Sequence, residues 1–312
     1  MQSIKGFARS KKWSSLDVKI SNAGPSDIRR ATQKRSLFTD KRQNGTVLVI
    51  AGSSQYHGAP SLASTAVENM LAALRVGGGY ASAFVPRSIL KIARIQSPGV
   101  IIHSAGRDTI EFSRGVRESI DHANAVVVGM GIGRKLSALR QTARIMDYAF
   151  SHNKKTVVDA DAIYALQYTK VRMNKNVVIT PQAREFFSLS GKEPDEKDLR
   201  QKVRYAVGLS RVLKAVVVLK GHESVITDGR IAKISRSRSS ALATMGTGDI
   251  LSGIISGYAA TGAGMFDAAV AGTYLHSRIG DRLWRRMGNH IIATDVVNEI
   301  PLILKSYDKN SR

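Results

Sequence analysis

The sequence has no cysteine among its 312 residues. This absence excludes disulfides, thiolate nucleophiles and metal sites with cysteine ligands. The sequence also lacks any run of about 18 apolar residues, so no membrane-spanning helix is expected. The polar, basic N-terminus is not followed by an apolar stretch, which argues against a secretory signal. We therefore expect a cytoplasmic protein without a membrane partner.

Acidic residues are scarce: 24 aspartates and glutamates stand against 47 lysines and arginines, which gives a net charge of +23. Such a charge fits nucleic acid or another polyanionic partner. It equally fits a solvated basic surface that suits phosphorylated substrates. Aromatic residues make up only 6% of the chain, and none interleave with a lysine or arginine run. We therefore expect no specific nucleic-acid binding.

Residues 1–44 lack sustained hydrophobic periodicity and contain eleven lysines and arginines but only three aspartates. We interpret them as a basic N-terminal arm or helical extension. Apolar strand and helix patterns begin at about residue 45 and continue without a convincing linker. Residues 45–312 are therefore predicted to form a single domain.

Apolar β-branched runs alternate with helical patterns through this domain. Predicted strands are Thr46–Ile50, Tyr80–Val85, Ala125–Val128, Thr156–Val158, Val177–Thr180 and Ala215–Leu219. Helices are predicted between several of them. An Asp-Gly turn then predicts a short hairpin over residues 224–235, and three helices follow. This order indicates an α/β fold with a doubly wound, mostly parallel sheet flanked by helices.

The segment Gly246-Thr247-Gly248-Asp249 leads directly into an apolar helix. A glycine-rich turn at a helix N-terminus presents backbone N–H groups and a partial positive charge, which suit a phosphate. Asp249 could then take a proton from a hydroxyl group that attacks the phosphate. The alternative is an ordinary turn in which Asp249 only caps the helix.

Other polar or glycine-rich turns follow the predicted strands. Lys220-Gly221 ends one strand, and Gly129-Met130-Gly131 ends another. Asp159 and Asp161 follow a third strand, where they could hold Mg²⁺ directly or through water, unless Asp161 only caps the next helix. The remaining turns are Thr180–Glu185 and the small-residue loop Gly52–Pro60. We expect these turns to meet at one edge of the sheet.

The ordered set of motifs resembles the NAD(P)H-hydrate dehydratases of the ribokinase-like superfamily over about residues 45–305. Gly52–Pro60 resembles GGS…Y.GAP, and Ala72–Gly79 resembles AALRxGAG. Gly129–Gly131 resembles GPG, residues 159–162 resemble DADA, and Thr180–Phe186 resembles TPH…EF. Lys220-Gly221 and Gly246–Asp249 match the KG and GTGD motifs.

The resemblance implies an ADP-dependent enzyme, or less readily an ATP-dependent one, that restores NADH and NADPH from their hydrated forms, NADHX and NADPHX. The ring hydroxyl would be phosphorylated transiently and phosphate eliminated, with Mg²⁺ present. Asp249 is implied as the base, with Gly246 and Gly248 lining the anion hole. The remaining implied residues are Ala59, Gly131 and Gln182 for the dinucleotide, and Lys220, Gly221, His222, Glu223, Ser224 and Gly248 for the adenine nucleotide.

Gln182 stands where bacterial members have histidine, and it cannot titrate. The main alternative is a ribokinase-like kinase that phosphorylates a hydroxymethyl group of a vitamin precursor or sugar. That kinase would share the GTGD turn and the fold, whereas the Gly-Ala-Pro loop and the Thr-Pro…Glu-Phe segment favour the dehydratase. The family also suggests a homo-oligomer, either a dimer or a tetramer.

Overall fold

A computed structural model of the chain describes residues 18–54, 59–96 and 100–308. The described residues form one sheet of ten strands and eleven α-helices. The strands are β1 (Lys19–Asn22), β2 (Thr46–Ile50), β3 (Tyr80–Val85), β4 (Ile101–Ser104), β5 (Ala125–Val128), β6 (Lys155–Val158), β7 (Val177–Ile179), β8 (Val216–Leu219), β9 (Glu223–Thr227) and β10 (Ile231–Arg236).

The strand order across the sheet is β1-β10-β9-β8-β7-β6-β5-β2-β3-β4. The seven strands from β8 to β4 in this order, β8, β7, β6, β5, β2, β3 and β4, are all parallel to one another. Strand β9 runs antiparallel to both β8 and β10. The predicted doubly wound, mostly parallel sheet with a hairpin is therefore confirmed.

Helices cover both faces of the sheet. They are α1 (Pro25–Ala31), α2 (Ala59–Arg75), α3 (Arg87–Gln96), α4 (Arg114–His122), α5 (Leu136–Ser151), α6 (Asp161–Ala165), α7 (Ala183–Ser190), α8 (Leu199–Leu213), α9 (Thr247–Ala260), α10 (Met265–Met287) and α11 (Ala293–Leu304). No helix in the described ranges is both long and apolar enough to cross a membrane.

The apolar runs of the central strands are explained by burial on both faces. In β2, Val47 and Val49 pack in the core shared with α2 and α9, whereas Leu48 and Ile50 pack in the core on the opposite face. All four side chains are at most 1% exposed. Alternate side chains of a strand point to opposite faces, so a strand covered on both sides needs an uninterrupted apolar sequence.

Two peripheral elements were not predicted. Strand β4 is at the edge of the sheet, and only Ile102 of its four residues is buried. Helix α3 is short, and only Ile89 and Ala93 of its ten residues are buried. Because one side of each element faces solvent, neither shows the apolar run that marked the central strands.

Residues 19–31 of the predicted N-terminal arm are integrated in the fold. Strand β1 pairs in parallel with β10, with Lys19 opposite Ile231. In α1, Ile28 and Ala31 are fully buried in the core. The exposed edge position of β1 explains why its sequence lacks the pattern of a central strand. Residues 1–17 lie outside the described part of the chain.

Glycines allow α2 and α9 to pack closely. A Cβ atom added to Gly253 would lie 2.4 Å from the backbone oxygen of Asn69, and one added to Gly257 would lie 2.7 Å from that of Ala73. A methyl group at either position would therefore push the two helices apart. This contact fixes α2 against the first turns of α9.

We predict that Gly253→Ala lowers the free energy of unfolding by about 1–3 kcal/mol, because overpacking outweighs the gain in helix propensity. Gly115→Ala in α4 is the matched control, since its added Cβ would meet only a Phe84 ring atom at 3.8 Å. Urea denaturation of both variants measures the difference. Equal stability of the two variants would show that the helices can separate freely.

Candidate active site

The turns after the parallel strands meet at one edge of the sheet, as predicted. Backbone hydrogen bonds join successive turns: Gly52 donates to Met130, Asp159 to Val128, Thr180 to Val158, and Lys220 to Pro181, over 2.8–3.1 Å. A Cβ atom added to Gly129 would lie 1.7 Å from the carbonyl oxygen of Asp159, so this position requires glycine. The N-terminus of α9 completes the edge.

The turn that precedes α9 has the geometry of an anion-binding site. Gly246 adopts a left-handed conformation with φ of +88°, and α9 begins at Thr247. First-turn amides of a helix lack intrahelical acceptors and carry a partial positive charge. The Lys220 ammonium lies 3.7 Å from the position of a Cβ on Gly248. The Thr247 and Asp249 amides already donate to the Thr244 and Gly246 carbonyls. A phosphate at this turn would therefore meet the Gly248 amide, the positive end of the helix and a lysine.

Lys220 and Asp159 form an ion pair of 2.8 Å, with side-chain exposures of 14% and 1%. The Asp159 carboxylate also accepts hydrogen bonds from the Ser252 hydroxyl at 2.5 Å and from the Ala160 amide at 2.8 Å. Burial opposes ionisation of Asp159, but Lys220 and the hydroxyls of Ser252 and Thr180 hold its pKa below the usual value. The network ties the ends of β6 and β8 to α9.

Asp249 lies in the first turn of α9 and is the perturbed acid of the site. Burial raises the pKa of Asp249 to about 7. The negative charge of Asp159 adds to this effect, Lys220 opposes it, and Glu68 and Glu185 add further negative charge. A carboxyl group with a pKa near neutrality is well matched to accept a proton from a hydroxyl group.

A buried histidine stabilises the turn from α10. The Nε2 atom of His276 lies 2.8 Å from the carbonyl oxygen of Thr247. Burial lowers the pKa of His276 to about 4, so the ring is neutral at physiological pH. Because a carbonyl only accepts, Nε2 carries the proton and donates it. Sequence reasoning missed His276, since a single histidine within an apolar helix gives no recognisable motif.

Asp159 and Asp161 were predicted as a Mg²⁺ pair, but their geometry does not support this. Asp159 is paired with Lys220. Asp161 accepts a hydrogen bond from the Gly133 amide at 3.0 Å and pairs with Arg134 at 2.9 Å. Each carboxylate is thus neutralised by its own cation, so the pair does not offer a shared set of free oxygens.

The residues implied for the dinucleotide come from the segments that follow β2, β5 and β7. Gly131 has a left-handed φ of +62° in the turn after β5. Gln182 is exposed and precedes α7, and its backbone N–H donates to the Glu185 carboxylate at 2.8 Å. Ala59 is the first residue of α2. Residues 55–58 of the neighbouring loop lie outside the described residues.

The residues implied for the adenine nucleotide connect β8 to β9. Gly221 lies against the Lys202–Glu196 ion pair, where an added Cβ would be 2.2 Å from the lysine nitrogen. Glu223 pairs with Arg236, and the Ser224 hydroxyl donates to the Gly221 carbonyl. His222 is exposed and lines a cavity of about 460 Å³.

That cavity is rich in cationic side chains. Its lining includes Arg236, Arg238 and Arg278, together with Tyr274 from α10 and Asn22 from β1. Guanidinium groups suit phosphate oxygens, and an aromatic ring offers a stacking surface. Arg236 and Arg278 already pair with Glu223 and Asp281, and Arg278 lies over the Tyr274 ring. The cavity therefore has a basic lining next to the loop that the motifs indicated.

Comparison with known proteins identifies what this arrangement resembles. The family model described as NAD(P)H-hydrate dehydratase matches residues 47–302. The bifunctional NAD(P)H-hydrate repair enzyme of Methanothermobacter thermautotrophicus is 31% identical over 284 residues, which cover 90% of this chain and 53% of the relative. The ADP-dependent (S)-NAD(P)H-hydrate dehydratase of Nitrosopumilus maritimus is 26% identical over 287 residues, covering 90% and 96%.

A solved structure confirms the fold. The ADP/ATP-dependent NAD(P)H-hydrate dehydratase of Bacillus subtilis, co-crystallised with ATP and Mg²⁺, superposes with a TM-score of 0.74 at 22% identity, covering 94% of this chain and all of that one. The chain spans about half the length of the first bifunctional relatives it matches. The resemblance inferred from the motifs is confirmed.

We predict that Lys220→Met lowers the free energy of unfolding by about 3–5 kcal/mol, because it leaves the buried Asp159 carboxylate without its cation. Adding Asp159→Asn should recover part of this loss, so the double variant is more stable than the sum of the single effects implies. Arg114→Met, which breaks an exposed ion pair with Glu118, should change stability little. Additive single effects in urea denaturation would contradict the coupling.

Proposed function

Since the chain belongs to the NAD(P)H-hydrate dehydratase family, we propose that it converts NADHX and NADPHX back to NADH and NADPH with an adenine nucleotide as phosphoryl donor. The observation that carries this proposal is the position of Asp249. Its carboxyl group, with a pKa near 7, stands in the first turn of α9 beside Lys220. A base and an anion-binding turn are thus in one place.

The chemistry follows from this juxtaposition. Asp249 accepts the proton of the ring hydroxyl as the hydroxyl oxygen attacks the terminal phosphorus of the nucleotide. The new O–P bond forms while the bond to the leaving phosphate oxygen breaks, so ADP leaves as AMP. Amides of the α9 turn, including Gly248, and Lys220 stabilise the charge on the transferred group.

The second half of the reaction is an elimination. The C–O bond to phosphate breaks, and the departing phosphate takes up a proton from the neighbouring ring carbon, which restores the double bond of the reduced nicotinamide. Phosphate is a much better leaving group than hydroxide, which explains why a nucleotide is consumed in a dehydration. The products are the reduced dinucleotide, AMP and phosphate.

We assign the dinucleotide to Ala59, Gly131 and Gln182, and the adenine nucleotide to Lys220–Ser224, Gly248 and the adjoining arginine-lined cavity. Gln182 would bind through hydrogen bonds, since it cannot titrate. Glu223 already pairs with Arg236, and the Ser224 hydroxyl already donates to the Gly221 carbonyl. Main-chain groups of this loop are therefore more available than these side chains to contact the nucleotide.

Any Mg²⁺ would reach the site with the nucleotide, because this ion is commonly held by phosphate oxygens, water and one or two carboxylates. Asp159 and Asp161 are not proposed as its direct ligands, for the reason given above. We assign no step of the reaction to the ion. The predicted homo-oligomer also stays a prediction.

The kinase alternative shares the fold and the GTGD turn, but the family match favours the dehydratase. Incubation with NADHX and with hydroxymethyl vitamin precursors, each with ADP or ATP, separates the two. Recovery of the absorbance of reduced nicotinamide that depends on nucleotide supports our proposal. Phosphorylation of a vitamin alcohol without action on NADHX would show that the protein is a kinase.

We predict that Asp249→Asn lowers the rate of NADHX dehydration by about 10²-fold or more, since an amide cannot accept the hydroxyl proton. The assay is recovery of nicotinamide absorbance with ADP, and with ATP in parallel. Asp267→Asn is the control, because Asp267 is a half-exposed first-turn aspartate of α10 that pairs with Arg30 of α1. Full activity of Asp249→Asn would contradict the assignment of Asp249 as the base.

We also predict that kcat/KM rises with pH and reaches half of its plateau near pH 7, the pKa of Asp249. Protonated Asp249 cannot act as a base, so activity is lost as pH falls through this value. The terminal phosphate of the nucleotide ionises in a similar range. In Asp249→Asn, kcat/KM should therefore rise with pH only as the nucleotide phosphate ionises. A wild-type kcat/KM that reaches half of its plateau near pH 4 would contradict the assignment of Asp249 as the base.

A further inference from the structure

Two polar residues of α2, Glu68 and Asn69, contact the anion-binding turn and the base, yet the reaction described above uses neither. They enter the site from the helix that packs against α9 through Gly253. No motif of the sequence marks them. Their contacts suggest a role in controlling the charge and the geometry of the site.

Asn69 is fully buried and contacts the main chain of the base. Its Nδ2 atom donates a hydrogen bond of 2.7 Å to the carbonyl oxygen of Asp249. Its Oδ1 atom is buried without a hydrogen-bond partner. A buried unsatisfied oxygen costs stability, so such a group calls for another explanation. Holding the first turn of α9 in place is the role that its one hydrogen bond supports.

Glu68 places a carboxylate directly against the anion-binding turn. Its Oε2 atom lies 3.2 Å from the position of a Cβ on Gly246. Burial raises the pKa of Glu68. A negative charge at this position opposes both the ionisation of Asp249 and the binding of phosphate. A turn built only to bind phosphate tightly would not have an acid here.

We propose that Glu68 is an electrostatic positioning residue, whose carboxylate weakens the hold of the Gly246 turn on phosphate, while Asn69 fixes the main chain of Asp249. The phosphate in question is a product of the proposed elimination, so a weaker hold favours its release. This inference rests on the proposed function for its purpose. The binding of phosphate can nevertheless be measured without turnover.

The charged groups that face Asp249 come from several elements. Asp159 follows β6, Lys220 follows β8, Glu185 lies in α7, and Glu68 lies in α2. The pKa of His276 in α10, at about 4, leaves that ring neutral. Asp159 is already neutralised by Lys220, and Glu185 raises the pKa of Asp249 less than Glu68 does. The Oε2 atom of Glu68 lies 3.2 Å from the position of a Cβ on Gly246. Glu68 is therefore the acid whose removal changes the charge at Gly246 most directly.

The decisive experiment compares Glu68→Gln with wild type by calorimetry, with inorganic phosphate, AMP and ADP as separate ligands. We expect Glu68→Gln to bind inorganic phosphate about threefold more tightly, on the order expected for removal of one like charge at a partly hydrated site. Glu118→Gln, at an exposed position of α4, is the matched control and should bind phosphate as wild type does.

Equal affinity of Glu68→Gln and wild type for phosphate, or no detectable phosphate binding by either protein, contradicts the proposal. Tighter binding of ADP without tighter binding of phosphate would also contradict it, because the effect would then lie elsewhere in the nucleotide site. If wild type fails to dehydrate NADHX but Glu68→Gln still binds phosphate more tightly, the proposed function fails and this inference stands.

A second readout is the ionisation of Asp249 itself, followed by carboxyl ¹³C chemical shifts and assigned by loss of the signal in Asp249→Asn. In Glu68→Gln the titration should move to lower pH by about half a unit, as should the ascending limb of kcat/KM. Inhibition by phosphate should become stronger. A uniform loss of activity at every pH, without a shifted limb, would indicate a merely structural role for Glu68.

Asn69→Leu tests the positioning role separately. Leucine has a similar volume and removes the unpartnered oxygen, but it also removes the hydrogen bond to the Asp249 carbonyl. These two effects oppose each other, so we expect the melting temperature to change little. We expect kcat to fall about tenfold with little change in KM, because a displaced base loses its alignment. Loss of stability with unchanged kcat would show that Asn69 serves the fold alone.

Discussion

The buried ion pair between Lys220 and Asp159 is the interaction on which the site depends. It joins the ends of two strands, and the Ser252 hydroxyl attaches the same carboxylate to α9. A buried pair of this kind contributes little net stability, because desolvation offsets the attraction. Its value is positional: it keeps a lysine beside the turn where α9 begins, with its charge maintained by the acid that holds it.

The Lys220–Asp159 pair also influences the pKa of Asp249. Lys220 is the cation that opposes the raised pKa of Asp249, and Asp159 is the acid that contributes most to raising it after burial. The balance leaves Asp249 with a pKa of about 7, so that its carboxyl group still ionises near neutral pH. In the proposed reaction, the same lysine can therefore attract phosphate and still leave Asp249 able to act as the base.

The sequence predicted the central sheet because its strands are buried on both faces and so must be continuously apolar. It predicted the turns at the strand ends because glycine, aspartate and lysine there break that pattern abruptly. It could not predict β4, whose exposed edge position requires no such pattern. Nor could it find Ser252, His276 or Asn69, because each is a single polar residue in a helix whose partner is distant in the chain.

The predicted pairing of Asp159 with Asp161 shows the same limit of sequence reasoning. Spacing alone placed two carboxylates at one strand end, but the fold brings a lysine to one and an arginine to the other. Sequence proximity indicates which groups could share a ligand, whereas the partners supplied by distant elements decide whether they do. Here those partners turn one acid into a support for Lys220 and the other into a support for the turn at Gly133.

Close helix packing connects these electrostatics to the fold. Gly253 lets α2 approach α9 at the level of Asn69, and this approach brings Glu68 to Gly246 and Asn69 to the carbonyl of Asp249. A larger residue at Gly253 would withdraw all of these groups together. A position that looks like ordinary core packing therefore controls the distance between an acid, an anion-binding turn and a base. For this reason, the chemistry of the site cannot be separated from the way its central helix is packed.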